Sequence, residues 1–402
     1  MDIVIVGAGQ AGVQVALSLR QSGHAGGIVL IGDEPHPPYQ RPPLSKGYLK
    51  GEMPVDQLLL RTAASLAEQD IELRTSVHIT QIDRVQRLVS GRGHEVKYDN
   101  LVLATGTRPR PLPLPGANLS GVLTLRGVED ADRLAATIKA AQDVVIIGGG
   151  FIGLEAAATV RLKGKAVTVV EAAPRVMARA VAPAISEWFE AMHRDMGTTI
   201  LTATGVTAIE GSERAEAVLL ANGARLSADL VLVGIGAIPN DHLARDAGLS
   251  CPNGIATDPL GRTEDPAIWA VGDCALTHNR YAGGPIRLES VQNAKDQAKS
   301  VAAAILGADK PMETVPWFWS DQYAAKLQTT GLPLNPDSHV LRGDPANTGF
   351  TIFHIRNGIV IAADSVNSPM EHMAARRLVS AGARIDPGKL ADIGIPLNSL
   401  LT

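Results

Sequence analysis

The sequence predicts an α/β protein with two doubly wound parallel-sheet domains and a smaller α+β domain near the C-terminus. Close to the start of the chain, an apolar run at residues 3–6 breaks into a G-x-G-x-x-G segment, and a helical pattern follows. The same succession recurs at residues 144–162. Residues 317–366 instead contain strand-like runs without a glycine loop. Two strand-turn-helix openings followed by a strand-rich region are the basis for this fold class.

The first glycine segment has the residue order of a dinucleotide-binding turn. Gly7 permits the tight turn, Gly9 lets a pyrophosphate approach the backbone, and Gly12 lets helix and strand pack closely. The free amides at the start of the helix then face the phosphates. A second strand at residues 28–31 leads to Asp33, whose carboxylate can accept a hydrogen bond from an adenosine ribose hydroxyl. This order predicts a Rossmann-like unit, with a chance glycine-rich turn as the alternative.

Length and composition limit the functional classes. With 402 residues, 45% hydrophobic and 19% charged, the chain has room for two or three globular domains. No apolar run approaches the ~18 residues of a membrane helix, and we expect no signal peptide because the N-terminus lacks a basic segment. Cys251 and Cys274 are too far apart for a redox pair, which fits a reducing cytoplasm. A net charge of −4 argues against nucleic acid as the main partner. We expect no metal site.

A proline-rich segment, residues 35–50, follows the ribose-binding acid. It is too rich in proline for a strand, and Ser45 is a candidate cap for a short helix at residues 47–49. Such a rigid, charged loop is suited to covering a cofactor, although a plain surface connection is the alternative. Residues 70–103 then alternate like a small β-meander that ends in an apolar strand.

The repeat at residues 144–153 again feeds a helix, and a further strand at residues 166–170 ends in Glu171. Two such units indicate either two dinucleotides or one duplicated unit with an inactive copy. The complete glycine set and the terminal acid favour two dinucleotides.

Glu171 carries information about the second dinucleotide. A carboxylate at this point repels a 2′-phosphate and accepts from a 2′-hydroxyl, which predicts NADH rather than NADPH. Arg175 and Arg179 follow a few residues later, and their positive charges would instead favour the 2′-phosphate of NADPH.

Two later strands also end at candidate ligand contacts. Residues 230–233 run into a loop that contains Gly236, and residues 268–272 lead to Asp273. An acid at the carboxyl end of a strand lies where doubly wound sheets bind ligands. We therefore assign Asp273 to a hydroxyl of a flavin ribityl chain, with a helix N-cap as the alternative. A helix is predicted from about Val291, and its N-terminus is the positive end of its dipole.

The C-terminal region opens with Trp317 and Trp319. We expect these i and i+2 residues to point to opposite faces of an extended segment, one into the core and the other towards a cofactor or an interface. A helix over residues 370–381 is predicted to close this domain.

With these motifs in place, the chain resembles the FAD- and NADH-dependent ferredoxin reductases of the putidaredoxin reductase and aromatic-ring dioxygenase reductase type. The resemblance covers nearly the whole chain. Its specific parts are the first glycine loop and residues 41–46 (RPPLSK), 104–106 (ATG), 148–155 (GGGFIGLE), 270–273 (AVGD) and 317–322 (WFWSDQ).

The resemblance implies a glutathione-reductase-like arrangement of domains. The expected boundaries are an FAD domain at 1–108 and 239–316, an NADH domain at 109–238, and a C-terminal domain at 317–402. It implies non-covalent FAD with contacts from Gly7, Gly9, Ala11, Gly12, Asp33, Arg41, Lys46, Ile79, Arg126, Asp273, Val291 and Trp319. It implies NADH contacts from Gly148, Gly150, Ile152, Gly153, Glu155, Glu171 and Gly236.

The implied chemistry resolves an electron mismatch. NADH delivers a hydride, whereas an iron–sulfur protein accepts one electron at a time, and a flavin converts between the two. The resemblance implies that Lys46 pairs with Glu155, with Lys46 near flavin N5 and Glu155 on the nicotinamide carboxamide. Glu289 is a second candidate for that amide. The alternative for Glu155 is a surface carboxylate favoured by the helix dipole.

The implied partner is a 2Fe-2S ferredoxin, and ferredoxins are generally acidic. We expect it to dock near Trp319, on a chain that is a monomer or a weak dimer. The candidate basic residues are Arg61, Lys295, Lys299, Arg376 and Arg377. The alternative is that these are scattered solvated charges.

The ferredoxin is expected to serve a cytochrome P450-type monooxygenase. A Rieske-type dioxygenase system and an NADH-sensing flavoprotein of the apoptosis-inducing-factor kind are the alternatives. A dithiol–disulfide reductase is excluded because no paired cysteine motif exists, and an NADH oxidase or peroxidase is disfavoured because residues 44–46 are Leu-Ser-Lys.

Overall fold

The computed structural model describes residues 1–308, 310–347 and 349–401. The chain forms two compact units, each assembled from three segments. The first contains Met1–Gln40, Val55–Arg108 and Ile238–Pro316, and the second contains Arg41–Pro54, Pro109–Ala237 and Trp317–Thr402. The domain boundaries given above, which keep residues 41–54 with the first glycine loop, stay a prediction.

A five-stranded parallel sheet forms the centre of the first unit. Its strands, in spatial order, are Ile268–Ala270, Asn100–Leu103, Ile3–Val6, Ile28–Ile31 and Ile71–Arg74. The three inner strands are short and rich in β-branched or leucine side chains, as expected for strands that are buried on both faces, whereas the edge strand Ile71–Arg74 contains the exposed Glu72.

The two faces of this sheet are covered differently because side chains alternate along a strand. Ile3 and Ile5 belong to a core cluster with the helices Gln10–Gln21 and Val291–Ile305. Val4 belongs to a second cluster on the opposite face, which includes residues of a three-stranded antiparallel sheet. That small sheet consists of Gln81–Asp83, Leu88–Gly91 and His94–Lys97.

The predicted meander over residues 70–103 was therefore partly wrong. Ile71–Arg74 pairs in parallel with Ile28–Ile31, and Asn100–Leu103 pairs in parallel with Ile3–Val6. Only the segments between them form the antiparallel meander. A short alternating strand looks the same in either kind of sheet, because its partner is not visible in its own sequence.

The remaining elements of the first unit are short. A three-stranded sheet joins Ile255–Thr257, Ala275–Asn279 and Gly284–Ile286. The other helices are Val55–Leu58, Ala63–Ala67, His242–Asp246 and the 3-10 turn Gly272–Cys274. The strands Thr107–Pro109 and Ala237–Pro239 lie at the boundaries between the segments of the two units.

The second unit repeats the parallel-sheet plan. Its five strands, in spatial order, are Thr199–Leu201, Ala166–Val170, Asp143–Ile147, Leu230–Val233 and Val122–Leu123. Its helices are Val128–Ala140, Phe151–Leu162 and Pro183–Asp195, with the 3-10 turn Pro42–Ser45 and the short helix Gly47–Lys50. A three-stranded antiparallel sheet consists of Val206–Glu210, Ala217–Leu220 and Arg225–Ser227.

The C-terminal part of the second unit is an antiparallel sheet of five strands with helices after it. In spatial order the strands are Trp317–Gln322, Ala325–Gly331, Ile359–Val366, Phe350–Arg356 and Ser338–Gly343. The helices are Pro369–Ala381, Pro387–Ala391 and the 3-10 turn Leu397–Leu401. Two Rossmann-like parallel sheets and an antiparallel C-terminal sheet confirm the predicted fold class.

Trp317 and Trp319 lie on the same face of their strand, so the expectation of opposite faces was wrong. Their ring centroids are 5.6 Å apart. Side chains two residues apart on a strand point the same way, because the repeat of a strand is two residues. Both rings are half-buried. The Arg376 guanidinium lies 5.3 Å from the centre of the Trp317 ring, which is a cation–π contact.

Arg342 fastens the chain's last segments to the C-terminal sheet. Its side chain is only 4% exposed, and it forms an ion pair with Glu371 at 3.0 Å. Its terminal nitrogens also donate to the carbonyl oxygens of Leu390, Asp392 and Ile395. A buried guanidinium is stable only with such compensation, because an unpaired buried charge costs several kcal/mol.

Within the described residues, every helix is too short or too polar to cross a lipid bilayer.

We predict that His372 makes the second unit less stable at acidic pH. The His372 side chain is 2% exposed, and burial, assisted by the Arg376 cation, lowers the pKa of its imidazole to about 4. The unfolded chain therefore binds a proton that the folded chain does not, and stability falls as pH drops below the ordinary pKa of histidine. The loss attributable to this one group should be about 2 kcal/mol between about pH 7 and about pH 5.

The measurement is urea unfolding followed by tryptophan fluorescence, since the Trp317 ring lies 6.0 Å from that of His372. His372→Gln should lose this part of the pH dependence, whereas His94→Gln on an exposed strand should keep it. Equal pH dependence in wild type and His372→Gln would contradict the prediction.

Candidate active site

The three glycines of the first glycine loop have different roles. Gly7 has a φ of +115°, and a Cβ atom there would lie 2.2 Å from the Ala104 carbonyl oxygen. A Cβ on Gly12 would lie 1.9 Å from the Gly7 carbonyl oxygen. Gly9, in contrast, has nothing within 4 Å of that position. Two glycines are thus required by packing, and Gly9 leaves the backbone open to a ligand.

The second loop repeats this arrangement. Gly148 has a φ of +110°, and its Cβ would lie 2.3 Å from the Gly234 carbonyl oxygen. A Cβ on Gly153 would lie 2.1 Å from the Gly148 carbonyl oxygen, while Gly150 is open. An inactive copy would have no need to keep the open position.

Both loops have the geometry for binding a phosphate. The helices Gln10–Gln21 and Phe151–Leu162 begin directly after Gly9 and Gly150. In the described part of the chain, no side chain caps either N-terminus. The uncapped amides and the positive end of each dipole are the groups that bind a pyrophosphate, so the structure fits two dinucleotides.

The first unit contains most of the predicted FAD contacts. Asp33 is exposed just after its strand. Ala11 packs closely against Gly272, where an added Cβ would lie 2.9 Å from that of Ala11. Asp273 lies in the 3-10 turn that starts at Gly272, and its Oδ2 accepts from the Thr107 hydroxyl at 3.4 Å. These contacts with FAD stay a prediction.

The helix that contains Val291 is capped by Ser290, whose hydroxyl accepts from the Asn293 amide at 3.1 Å. Asp273 lies inside a 3-10 turn whose N-cap position is Val271, so the alternative that Asp273 is a helix N-cap was wrong. Ile79 is only 5% exposed and its side chain is in the core. A ligand contact at this position would have to use its backbone.

Four further predicted FAD contacts belong to the second unit: Arg41, Lys46, Arg126 and Trp319. Arg41 donates from Nη1 to the Arg126 carbonyl oxygen at 2.9 Å, so these two residues are brought together. Trp319 is half-buried beside Trp317.

Glu171 lies directly beside the second glycine loop. Its Oε2 accepts from the Gly149 amide at 2.6 Å, and its Oε1 accepts from the Ala173 amide at 2.8 Å. Arg175 is engaged elsewhere: its guanidinium donates to the hydroxyl of Ser186 and to two carbonyl oxygens. Arg179 is exposed, and one of its terminal nitrogens lies 3.9 Å from the position that a Cβ on Gly236 would occupy.

Lys46 and Glu155 form a buried ion pair. Glu155 is 6% exposed, and its Oε1 lies 3.0 Å from Lys46 Nζ. Ser320 donates to the same oxygen at 2.6 Å, and Ser45 donates to Oε2 at 2.6 Å. A buried carboxylate with one cation and two hydroxyl donors is well compensated. The surface-carboxylate alternative for Glu155 was wrong.

Sequence reasoning misassigned Ser45 and missed the role of Ser320. Ser45 lies in the 3-10 turn and does not cap the helix at Gly47–Lys50, whose N-cap position is Lys46. Ser320 was visible only as part of the WFWSDQ motif. Ile152, a predicted NADH contact, stands 50% exposed on the first turn of its helix.

The remaining candidates are at the surface. Glu289 is exposed in the first unit and pairs with Arg287. Arg61, Lys295 and Lys299 are exposed in the same unit, and Lys299 Nζ lies 3.2 Å from Asp296.

In the second unit, Arg377 is exposed and donates to Asn398 at 3.1 Å, whereas Arg376 is half-buried against Trp317. Whether these basic residues form one docking patch stays a prediction. Among the described residues, no group of three or more His, Cys, Asp or Glu side chains is placed to hold a metal ion.

Both cysteines lie in the first unit and neither is disposed for redox chemistry. Cys251 and Cys274 are free thiols within the described chain. Burial raises the pKa of the Cys251 thiol to about 11, and complete burial raises the pKa of Cys274. Thiolates are the reactive form, so a raised pKa disfavours reactivity at both side chains.

Comparison with known proteins identifies the family. Residues 1–298 match the sequence profile described as pyridine nucleotide-disulphide oxidoreductase. The chain belongs to this family. Residues 317–401 match a second profile, described as reductase C-terminal.

Individual relatives agree with this assignment. The chain is 44% identical to rhodocoxin reductase from Rhodococcus erythropolis over 99% of this chain and 93% of that protein. It matches the crystal structure of the ferredoxin reductase for the CYP199A2 system from Rhodopseudomonas palustris with a TM-score of 0.97 and 43% identity, over the whole of both chains. It matches the covalent putidaredoxin reductase–putidaredoxin complex with a TM-score of 0.96 and 41% identity, over 100% of this chain and 98% of that one.

These findings confirm the resemblance to ferredoxin reductases and the prediction of an oxidoreductase. The pyridine nucleotide-disulphide oxidoreductase family uses FAD together with NAD(P)H. The two open glycine loops match that pair of cofactors. The disulphide in the family name does not describe this chain, whose two cysteines are both free thiols.

We predict that Glu171 makes the protein prefer NADH. A 2′-phosphate beside this carboxylate would lose a hydrogen bond and meet repulsion, and Arg175 is not available to compensate. We expect kcat/KM for NADH to exceed that for NADPH by roughly 30- to 1,000-fold. Steady-state kinetics with both nucleotides measure the ratio.

Glu171→Ala should narrow this gap, and Glu171→Gln, which keeps an acceptor for the loop amides, should narrow it with less damage to NADH binding. Glu213→Ala, on an exposed turn of the same unit, is the matched control. Similar kcat/KM values for the two nucleotides in the wild type would contradict the prediction.

Proposed function

We propose that the protein is an NADH-dependent ferredoxin reductase that serves a cytochrome P450-type monooxygenase from the cytoplasm. The observation that carries this proposal is the buried ion pair between Lys46 and Glu155, whose carboxylate lies near the start of the second glycine-loop helix. FAD, when bound, supplies the conversion of a hydride into single electrons. The residues of the chain have to orient the nicotinamide, keep water out and present the reduced site to a partner.

Glu155 is suited to hold the nicotinamide carboxamide. It follows the open loop by one helical turn, and its carboxylate is an acceptor that could take an amide N–H in addition to the donors it already has. Lys46 keeps this carboxylate neutralised, so a neutral nicotinamide ring meets a pair without net charge. Burial of the pair also keeps bulk water away, which strengthens each of these hydrogen bonds.

The proposed partner is a 2Fe-2S ferredoxin. Support comes from the solved relative that is joined to putidaredoxin, and from the relative that is named for a CYP199A2 system. The lack of reactive thiols argues against a dithiol substrate. The unpaired state of both cysteines is compatible with a reducing compartment.

Removal of either member of the buried pair should slow electron transfer from NADH. Lys46→Met leaves a buried carboxylate without its cation, and Glu155→Gln leaves a buried cation without its anion. We expect the limiting rate of flavin reduction by NADH to fall by roughly 100-fold in each variant. Stopped-flow absorbance of the FAD-loaded protein measures the rate.

Lys139→Met, at an exposed helix position, is the matched control and should reduce flavin at the wild-type rate. Ferredoxin reduction by NADH in the wild type is the direct test of the function. If NADH reduces the flavin but no 2Fe-2S ferredoxin is reduced, while ferricyanide is, the ferredoxin assignment fails.

Charge reversal at the candidate docking residues should weaken ferredoxin binding. We expect Lys299→Glu to raise KM for an acidic ferredoxin, and the triple reversal of Arg61, Lys299 and Arg376 to raise it by about tenfold at low salt. The effect should shrink as salt screens it. KM for NADH and the rate of ferricyanide reduction should not change.

A triple reversal at exposed basic residues outside the candidate set is the control. These residues are Arg87, Lys97 and Lys139. If both triple variants have the same KM for the ferredoxin, the docking surface does not include Arg61, Lys299 and Arg376.

A further inference from the structure

A chain of hydrogen-bonded, buried polar side chains continues from Glu155 within the second unit. Ser320, which donates to Glu155 at 2.6 Å, accepts from the Gln322 amide nitrogen at 3.2 Å. The Gln322 amide oxygen lies 2.9 Å from His193 Nε2. Ser320, Gln322 and His193 each have 0% of their surface exposed. The sequence does not reveal this hydrogen-bonded chain, because Glu155, His193 and the Ser320–Gln322 pair are far apart along the polypeptide.

Simple chemistry settles the direction of every hydrogen bond in the chain. An ionised Glu155 carboxylate can only accept, so the single hydroxyl proton of Ser320 points at it. Ser320 must then accept from its other neighbour, so Gln322 turns its NH₂ group towards Ser320 and its oxygen towards His193. His193 must therefore carry a proton on Nε2. All three donors are aligned towards the carboxylate.

His193, at the far end of this hydrogen-bonded series, is not in an arrangement that maximises stability. His193 Nδ1 has no hydrogen-bond partner among the described residues, and burial lowers the pKa of this imidazole. An unpaired buried polar atom costs about 1–3 kcal/mol, so an apolar replacement would serve a purely structural purpose better. Met177 and Tyr323 pack around the chain, with Tyr323 5.1 Å from the His193 ring.

We propose that Gln322 and His193 are positioning residues, which act through Ser320 to hold Glu155 as an ionised acceptor of fixed orientation. This inference rests on the proposed role of Glu155 in binding nicotinamide. A carboxylate with one oxygen tied to Ser45 and the other to Lys46 and Ser320 cannot rotate freely. A proton on His193 Nε2 stabilises the Gln322 amide in the orientation that donates to Ser320.

The kinetic test changes the hydrogen bond between Gln322 and Ser320 while keeping the size and shape of the side chain at position 322. Gln322→Glu places an acceptor where Ser320 needs a donor, and Gln322→Met removes the link. We expect the limiting rate of flavin reduction at saturating NADH to fall by about tenfold to a hundredfold in Gln322→Glu, and less in Gln322→Met. KM for NADH should change by less than about threefold. Gln86→Glu, on an exposed turn, is the matched control and should not alter the rate.

A double-mutant cycle separates positioning from a structural role. In the Glu155→Gln background, both Gln322 substitutions should change the rate by less than about twofold, because their target is gone. If they slow the reaction as much in that background as in the wild type, Gln322 does not act through Glu155 and the proposal is overturned. Wild-type rates in both single variants would overturn it as well.

The ring tautomer of His193 tests the chain without reference to catalysis. In protein labelled with ¹⁵N-histidine, the signals of His193 can be assigned by their loss in His193→Gln. We expect a neutral ring with its proton on Nε2, and a proton on Nδ1 would overturn the proposal. If Glu155→Gln reduces flavin at the wild-type rate while the tautomer is as expected, the chain stands and the role proposed for Glu155 fails.

Discussion

The need to compensate one buried carboxylate ties the three segments of the second unit together. Glu155 comes from the middle segment, Lys46 and Ser45 come from the segment that begins at Arg41, and Ser320 comes from the C-terminal segment. Without these partners the carboxylate would be unstable in the interior. The same contacts that make its burial tolerable also restrict its orientation, so the stability of this carboxylate and the role proposed for it depend on the same atoms.

The parts of the fold that were predicted correctly are those with short-range causes. Gly12 and Gly153 are required because the carbonyl oxygen five residues earlier occupies the space of a side chain, and Gly7 and Gly148 are favoured by their positive φ angles. The parallel strands follow from short apolar runs, and the helix starts follow from the open positions. Such requirements act within a single turn or strand, and they are therefore visible in one sequence.

The features that were missed depend on distant partners. Nothing near Ser320 indicates that its hydroxyl meets a carboxylate 165 residues earlier in the chain, and nothing near His193 indicates Gln322. Ser45 was misassigned because capping is the commonest local role of a serine before a helix. The faces of Trp317 and Trp319 follow from local geometry instead: residues i and i+2 of a strand share a face, so the prediction of opposite faces was wrong.

Arg342 has a consequence for anyone who modifies the chain. Its guanidinium is satisfied by carbonyl groups of residues 390–395, so those residues act as a built-in counterpart to a buried cation. A truncation that removes residues 390–395 would leave the buried Arg342 guanidinium without these hydrogen-bond acceptors. A fusion that joins a ferredoxin to this reductase should therefore retain the whole C-terminal tail and add its linker only beyond it.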